Sequence, residues 1–216
     1  MQKPTLNRRG LIGRALALAG LGAGAGAWAG LFGTPASAAT GTPSATEGPF
    51  YPKPSMRMDD IDNDLVKVTG RVEEAGGTVI RLKGRVLDVD GQPRAGLRVE
   101  IWQCDMNGKY LHPGDRREVT YDTGFQGFGH DITGADGGYR FRTIMPTVYP
   151  GRTPHIHVKL LDGENELLTT QFYLKDHPGN ANDRIYSRLS DAEKASVTME
   201  FVTGENGLET SVDIIA

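Results

Sequence analysis

From Leu65 onward the apolar positions fall in short runs rather than on a helical stripe. LVKVTGRV (65–72), TVIRLKGRVLDVDG (78–91), LRVEIWQCD (97–105), GGYRFRTIMP (137–146), HIHVKLLDG (155–163) and LLTTQFYLKD (167–176) are rich in Val, Ile, Leu, Thr and aromatic residues. Gly, Asp, Asn or Pro separates them, the punctuation expected between strands. Six runs at this spacing predict an all-β fold, an antiparallel β-sandwich of Greek-key type with long loops. Asp90-Gly91 and Asp162-Gly163 each stand between two runs and mark short connections. One helix is expected over SDAEKAS, where Ser190 caps and Glu193 follows three positions on; a second short turn is expected within NANDRIYSRL (180–189). Before the first run, residues 39–64 include TPSATEGPFYPKPS, with four prolines and no periodicity, and read as an extended arm.

The first 38 residues follow neither pattern. They hold Lys3, Arg8, Arg9 and Arg14, no acid, and a weakly apolar run from Ala15 to Phe32, with six glycines over Gly20 to Gly33. So many glycines make a poor spanning helix, and a small-residue site, Ala36-Ser37-Ala38, follows. The Arg8-Arg9 pair ahead of this run resembles a twin-arginine signal, cleaved after Ala38. The chain then divides into a leader (1–38), the arm (39–64) and the sandwich domain (65–216). That division implies export to the periplasm or beyond, with the twin-arginine translocation machinery as a partner. Proteins that travel this way are exported already folded, which suits a cofactor inserted beforehand.

Without the leader, 20 basic residues face 27 acidic ones, a net charge of −7. An acidic chain with no basic stripe argues against nucleic acid as a partner. Cys104 is the only cysteine, so no internal disulfide forms and no thiolate cluster is available.

The chemistry gathers at PHIHVKL. On a strand, residues i and i+2 share a face about 7 Å apart, so His155 and His157 can converge on one ion while Ile156 packs behind. An HxH on a strand also occurs in copper and zinc proteins and on plain surfaces, so further ligands must decide. No Asp or Glu lies between Gly137 and Leu161, which disfavours a local site of two histidines and a carboxylate. Tyrosines are at hand: Tyr149 just upstream, and Tyr110 at the end of WQCDMNGKY. A phenol with a free pKa of about 10 ionises at neutral pH only beside a strong positive charge such as Fe(III).

WQCDMNGKYLH, FQGFG, GGYRFRTIMPTVYPGR, PHIHVKL and TTQFYL, in this order, resemble the intradiol ring-cleavage dioxygenases, the family of protocatechuate 3,4-dioxygenase and catechol 1,2-dioxygenase. The resemblance spans about Thr46 to Leu189. It implies a non-haem Fe(III) held by Tyr110, Tyr149, His155 and His157, with Tyr149 leaving when a catechol binds. It also implies that Arg152 favours the ionised, carbanion-like form of the substrate and that Gln171 stands beside the substrate and O2. Gly48 and Pro49 match a stretch that lines the pocket in some members. His112, His130 and His177 are expected to be non-ligands.

The implied reaction opens a catechol-type diol with O2 to a cis,cis-muconate-type diacid, without an organic cofactor. Gly151 stands where protocatechuate enzymes usually carry Trp, which implies a wider pocket and makes Gly151 a candidate substrate-binding position. The N-terminal helical domain of the catechol and hydroxyquinol subfamilies is not expected. Two other readings stay open: an exported sandwich binding module, which GRVLDVDGQPRAGLRVEIW also resembles, and an exported HxH copper or zinc protein. The sequence leaves the oligomeric state open, a homo-oligomer being one outcome.

Overall fold

The computed structural model describes residues 40–216; the leader lies outside them. Among the described residues ten strands build two sheets: β1 (Val79–Leu87), β2 (Arg98–Trp102), β3 (Phe128–Ile132), β4 (Gly138–Ile144), β5 (His155–Asp162), β6 (Asn165–Leu174), β7 (Thr198–Met199), β8 (Val202–Gly204), β9 (Gly207–Ser211) and β10 (Ile214–Ile215). In one sheet β1 pairs with β4 on one side and with β9 and β10 on the other, and β8 lies beyond β9. The other runs β3-β2-β5-β6-β7. The sandwich is as expected. Besides its antiparallel pairs it contains three parallel ones, β1 with β9, β1 with β10, and β6 with β7, so both sheets are mixed.

The core lies between the sheets. Ile80, Leu82 and Val86 of β1 and Phe141 of β4 meet Val99 and Ile101 of β2, Ile156, Val158 and Leu160 of β5, and Phe172 of β6. Burial of each large aliphatic side chain contributes roughly 2 kcal/mol. That alternation commits Ile156, Val158 and Leu160 to the core and turns His155, His157 and Lys159 to the outer face of the second sheet. Gly163-Glu164 closes the β5–β6 hairpin between Asp162 and Asn165.

Leu65–Val72, read above as a strand, forms none. It is a turn segment held by isolated bridges, Asp64 to Arg142 and Lys67 to Glu74. Leu65 and Val66 are both fully buried, which a strand's alternation forbids for adjacent residues with one core face. The helix α1 (Asp191–Ser196) forms where expected, with Ser190 and Glu193 making a reciprocal capping box. The segment 180–189 holds parts of two short 3-10 helices, Pro178–Asn182 and Tyr186–Arg188. No helix among the described residues is long and apolar enough to cross a membrane.

The arm is ordered and covers the outer face of the second sheet. The Thr42 backbone N–H donates to the Ile215 carbonyl at 3.0 Å, and Ala45 N–H to Thr169 O at 2.8 Å. The Thr170 hydroxyl donates to Pro43 O at 2.7 Å. The arm then crosses β6 and β5 and turns at the 3-10 helix Pro54–Met56.

Candidate active site

Register places the site at one end of the second sheet's outer face. His157 lies between Trp102 of β2 and Gln171 of β6, and His155 lies opposite Tyr173. The Trp102 ring stacks on His157, centroids 4.7 Å apart and 9° from parallel. Around them is a second, smaller apolar cluster of Trp102, Cys104, Tyr110 and Phe128, with Phe50, Tyr51 and Tyr149 packed against it.

The two imidazoles converge, with His155 Nε2 and His157 Nε2 3.1 Å apart. His155 Nδ1 stands 2.7 Å from the Thr153 carbonyl. A carbonyl only accepts, so Nδ1 carries the proton and Nε2 presents a lone pair to the site. Burial, and then the Arg152 charge, lower the His155 pKa to about 4. Burial, His155 and Arg152 push His157 well below the ordinary value. Both are neutral at neutral pH, the form that ligates.

The tyrosines reach the same place from two loops. Tyr110 is buried, and its ring meets Tyr149 edge-on at 5.4 Å and lies 6.2 Å from His157. Tyr149 is half-buried, 5.8 Å from the His155 ring. The loop before Tyr110 is set by Asp115, whose carboxylate accepts from the Tyr110 backbone N–H at 3.0 Å. Phe50 of the arm stacks on Tyr110 at 4.6 Å. A Cβ added to Gly48, whose φ is +73°, would sit 3.4 Å from His157 Cε1. The arm backbone is therefore a wall of the site, with Pro49 next to it and exposed.

This donor set fits a hard, highly charged metal ion. The Tyr110 hydroxyl is buried with no hydrogen-bond partner, a costly state for a polar atom. Two imidazole nitrogens 3.1 Å apart have the spacing of neighbouring donors on one ion. Burial also pushes the Tyr110 phenol well above its usual pKa, so only a strong local cation would ionise it. Burial raises the Cys104 thiol too, so it is protonated at neutral pH. Among the described residues no three His, Cys, Asp or Glu side chains gather as a metal cluster, which leaves the two histidines and two tyrosines as the donor group.

Arg152 borders the two histidines. Its Nε donates to Asp183 Oδ2 at 2.7 Å and its Nη2 to Gln171 Oε1 at 2.6 Å. Tyr173 Oη also donates to Gln171 Oε1, at 2.9 Å, and Gln171 Nε2 donates to Thr46 O of the arm at 2.9 Å. Gly151 is exposed at the turn between Tyr149 and Arg152, with φ +82°. A side chain there would meet no atom within 4 Å, so the turn's left-handed backbone asks for glycine whatever the pocket requires.

His130 Nδ1 bonds Ile61 O, His112 Nδ1 accepts from Gly114 N–H, and His177 Nδ1 accepts from Gly179 N–H. Each of these three histidines is thus engaged within the protein. The sequence reading gave no part to Phe50, Trp102, Asp115 or Asp183. Trp102 alone had a signal, its place in the WQCDMNGKY motif. A surface groove of about 660 Å³, lined by Lys83, Arg85, Asp131 and Arg140 among others, contains none of the site residues.

Two histidines from one strand and two tyrosines from two loops, gathered at one end of a β-sandwich's outer face, make a candidate metal site. The match to the family described as Dioxygenase covers residues 46–216, and the chain belongs to that family. It is 36% identical over 152 residues to the protocatechuate 3,4-dioxygenase beta chain of Burkholderia cepacia, covering 67% of this chain and 65% of that one. It is 28% identical to catechol 1,2-dioxygenase of Candida albicans, over 69% of this chain and 52% of that one. The chain therefore spans less than two thirds of the length of either relative. Among solved structures, the dioxygenase domain of a dioxygenase and carbohydrate-binding protein fusion from Streptomyces sp. SirexAA-E matches with a TM-score of 0.62 and 30% identity, over 82% of this chain and 98% of that one.

Proposed function

We propose that the protein is a non-haem Fe(III) enzyme that cleaves a catechol-type diol between its hydroxylated carbons, using O2, to a cis,cis-muconate-type diacid. The observation that supports this best is the meeting of two neutral imidazoles with two tyrosines, one bearing a buried hydroxyl that no protein group satisfies. Tyr110, Tyr149, His155 and His157 would hold the ion. When bound, ferric iron would supply the Lewis acidity that ionises the diol and the electron acceptance that opens its ring to O2.

The chain's own groups do the rest. Tyr149, on the half-exposed turn, is the ligand free to move, and its phenolate oxygen can take a proton from an entering catechol hydroxyl. Tyr110, enclosed by Phe50 and Tyr149, stays as the fixed anchor. Arg152 is a permanent cation beside the ligands, suited to hold the diol in its ionised form. Gly48 and Phe50 of the arm exclude water from the histidine and Tyr110 faces.

The leader supports a second part of the proposal: export by the twin-arginine route, with cleavage after Ala38, on the strength of Arg8-Arg9, the glycine-rich run and Ala36-Ser37-Ala38. The central test is iron analysis and a visible spectrum of the purified protein, read with O2 uptake on a panel of catechols. Stoichiometric iron, a tyrosinate-to-iron band and catechol-dependent O2 uptake are expected. A zinc- or copper-loaded, band-free protein would overturn the reading.

A further inference from the structure

Asp183 is a fully buried carboxylate that the metal site does not account for. It lies 31 residues after Arg152, beyond the 3-10 helix Pro178–Asn182. Its Oδ2 accepts from Arg152 Nε at 2.7 Å and from the Thr153 backbone N–H at 3.0 Å. Its Oδ1 accepts from the Ile185 and Tyr186 N–H groups at 3.0 Å each, and from Arg152 Nη2 at 3.4 Å. Five donors fix this carboxylate, and two of them belong to one guanidinium.

Gln171 completes the clamp. Its Oε1 takes Arg152 Nη2 at 2.6 Å while Tyr173 Oη holds the same oxygen at 2.9 Å. The Nε and Nη2 nitrogens of Arg152 are thus committed, and Nη1 has no acceptor among the described residues. An arginine loses much of its value as a preorganised cation if its long side chain can wander. This one is held on two sides, close enough to the ligands for its charge to act on both histidines.

We propose that Asp183 is the positioning residue of Arg152, fixing the guanidinium against Gln171 so that Nη1 presents its two N–H donors to the ionised diol. This rests on the dioxygenase reading above. Asp183 touches neither substrate nor ligand; it acts through Arg152.

A double-mutant cycle tests it, with kcat and KM measured on the best catechol of the panel for the wild type, Asp183→Asn, Arg152→Ala and the double variant. In the wild-type background Asp183→Asn is expected to lower kcat on the order of 10²-fold, the effect of a misplaced catalytic group. In the Arg152→Ala background it should change kcat by no more than about threefold, because the two residues act as one unit. Iron content and the visible band should be unchanged in Asp183→Asn. Added guanidinium ion should partly restore Arg152→Ala but not the double variant. If Asp183→Asn does not fold, Asp183→Glu, which keeps the charge and displaces it by a methylene, should retain iron and lose kcat.

Equal losses in both backgrounds, loss of iron in the Asp183 variants, or rescue that ignores Asp183 would overturn the proposal. A wild-type protein that turns over no catechol is a different failure: it overturns the functional reading, and this inference falls with it.

Discussion

Two residues of β5, on the same face and two positions apart, sit in opposite electrical worlds. Lys159 is buried, yet its ammonium pairs with Glu47 and with Glu166 at 3.0 Å and lies 3.9 Å over the Tyr51 ring. Next to it Glu100 accepts from Tyr51 Oη and Arg98 Nε, each at 2.7 Å, with Arg57 3.8 Å away. In that half of the face these charges have protein partners. At His157 the balance fails: its Nδ1, the Tyr110 hydroxyl and Trp102 Nε1 are all buried and unpartnered. Both halves lie under the same arm, so burial is not what separates them. The proposed metal site thus lies at the end of the strand where the protein leaves the Tyr110 hydroxyl without a partner, and not at the end where every charge is paired.

The largest test of that contrast is His157→Ala, which should abolish bound iron, the visible band and turnover while leaving the Lys159 end folded, as circular dichroism would report. If iron and turnover survive, the open end is not a metal site. Glu100→Leu probes the closed end. It strands Arg98 and Arg57 against Tyr51 and should cost about 3 kcal/mol in urea denaturation, the usual penalty for orphaning a buried charge, with iron content intact.

Acid sharpens the boundary at Asp183. Burial works to raise its pKa, but hydrogen bonds from Arg152 and backbone N–H groups outweigh it and hold the carboxyl at about 2, below its unfolded value of 3.8. A depressed carboxylate stabilises fully above its unfolded pKa and loses that contribution as pH falls through the folded one. Stability should therefore drop between about pH 4 and pH 2, by on the order of 2 kcal/mol from this group, and Asp183→Asn should flatten the slope. The smallest effect is the most discriminating. In metal-free protein Tyr110→Phe should raise stability by up to about 1 kcal/mol, because it removes an unsatisfied hydroxyl, whereas Tyr173→Phe, which breaks a bond to Gln171, should lower it by a similar amount.

The convergence of His155 and His157 was legible because strand alternation is a strict rule: HIH could only place two imidazoles on one side and Ile156 on the other. The capping box at Ser190 was legible for a similar reason, being local. Leu65–Val72 misled because its composition is that of a strand while its backbone is spent in turns around Gly70. The β8–β9 hairpin, closed by Glu205-Asn206, went unread because the apolar pattern of its short strands is weak. Asp183 could not have been found. It is an aspartate in a polar loop with no periodicity, and its meaning depends on a partner 31 residues earlier that only the folded chain brings near. The pairing of Lys159 with Glu47 is equally a product of register and of where the arm lands.

That arm also sets a chronology. The ribosome makes Thr42 to Phe50 before any strand they touch, yet their partners are Thr169, Gln171 and Ile215. The segment must wait, unattached, while almost the whole sandwich is synthesised and closed, and loop closure over such separations is slow to be rewarded. The histidines and tyrosines can gather first, and their wall is laid afterwards.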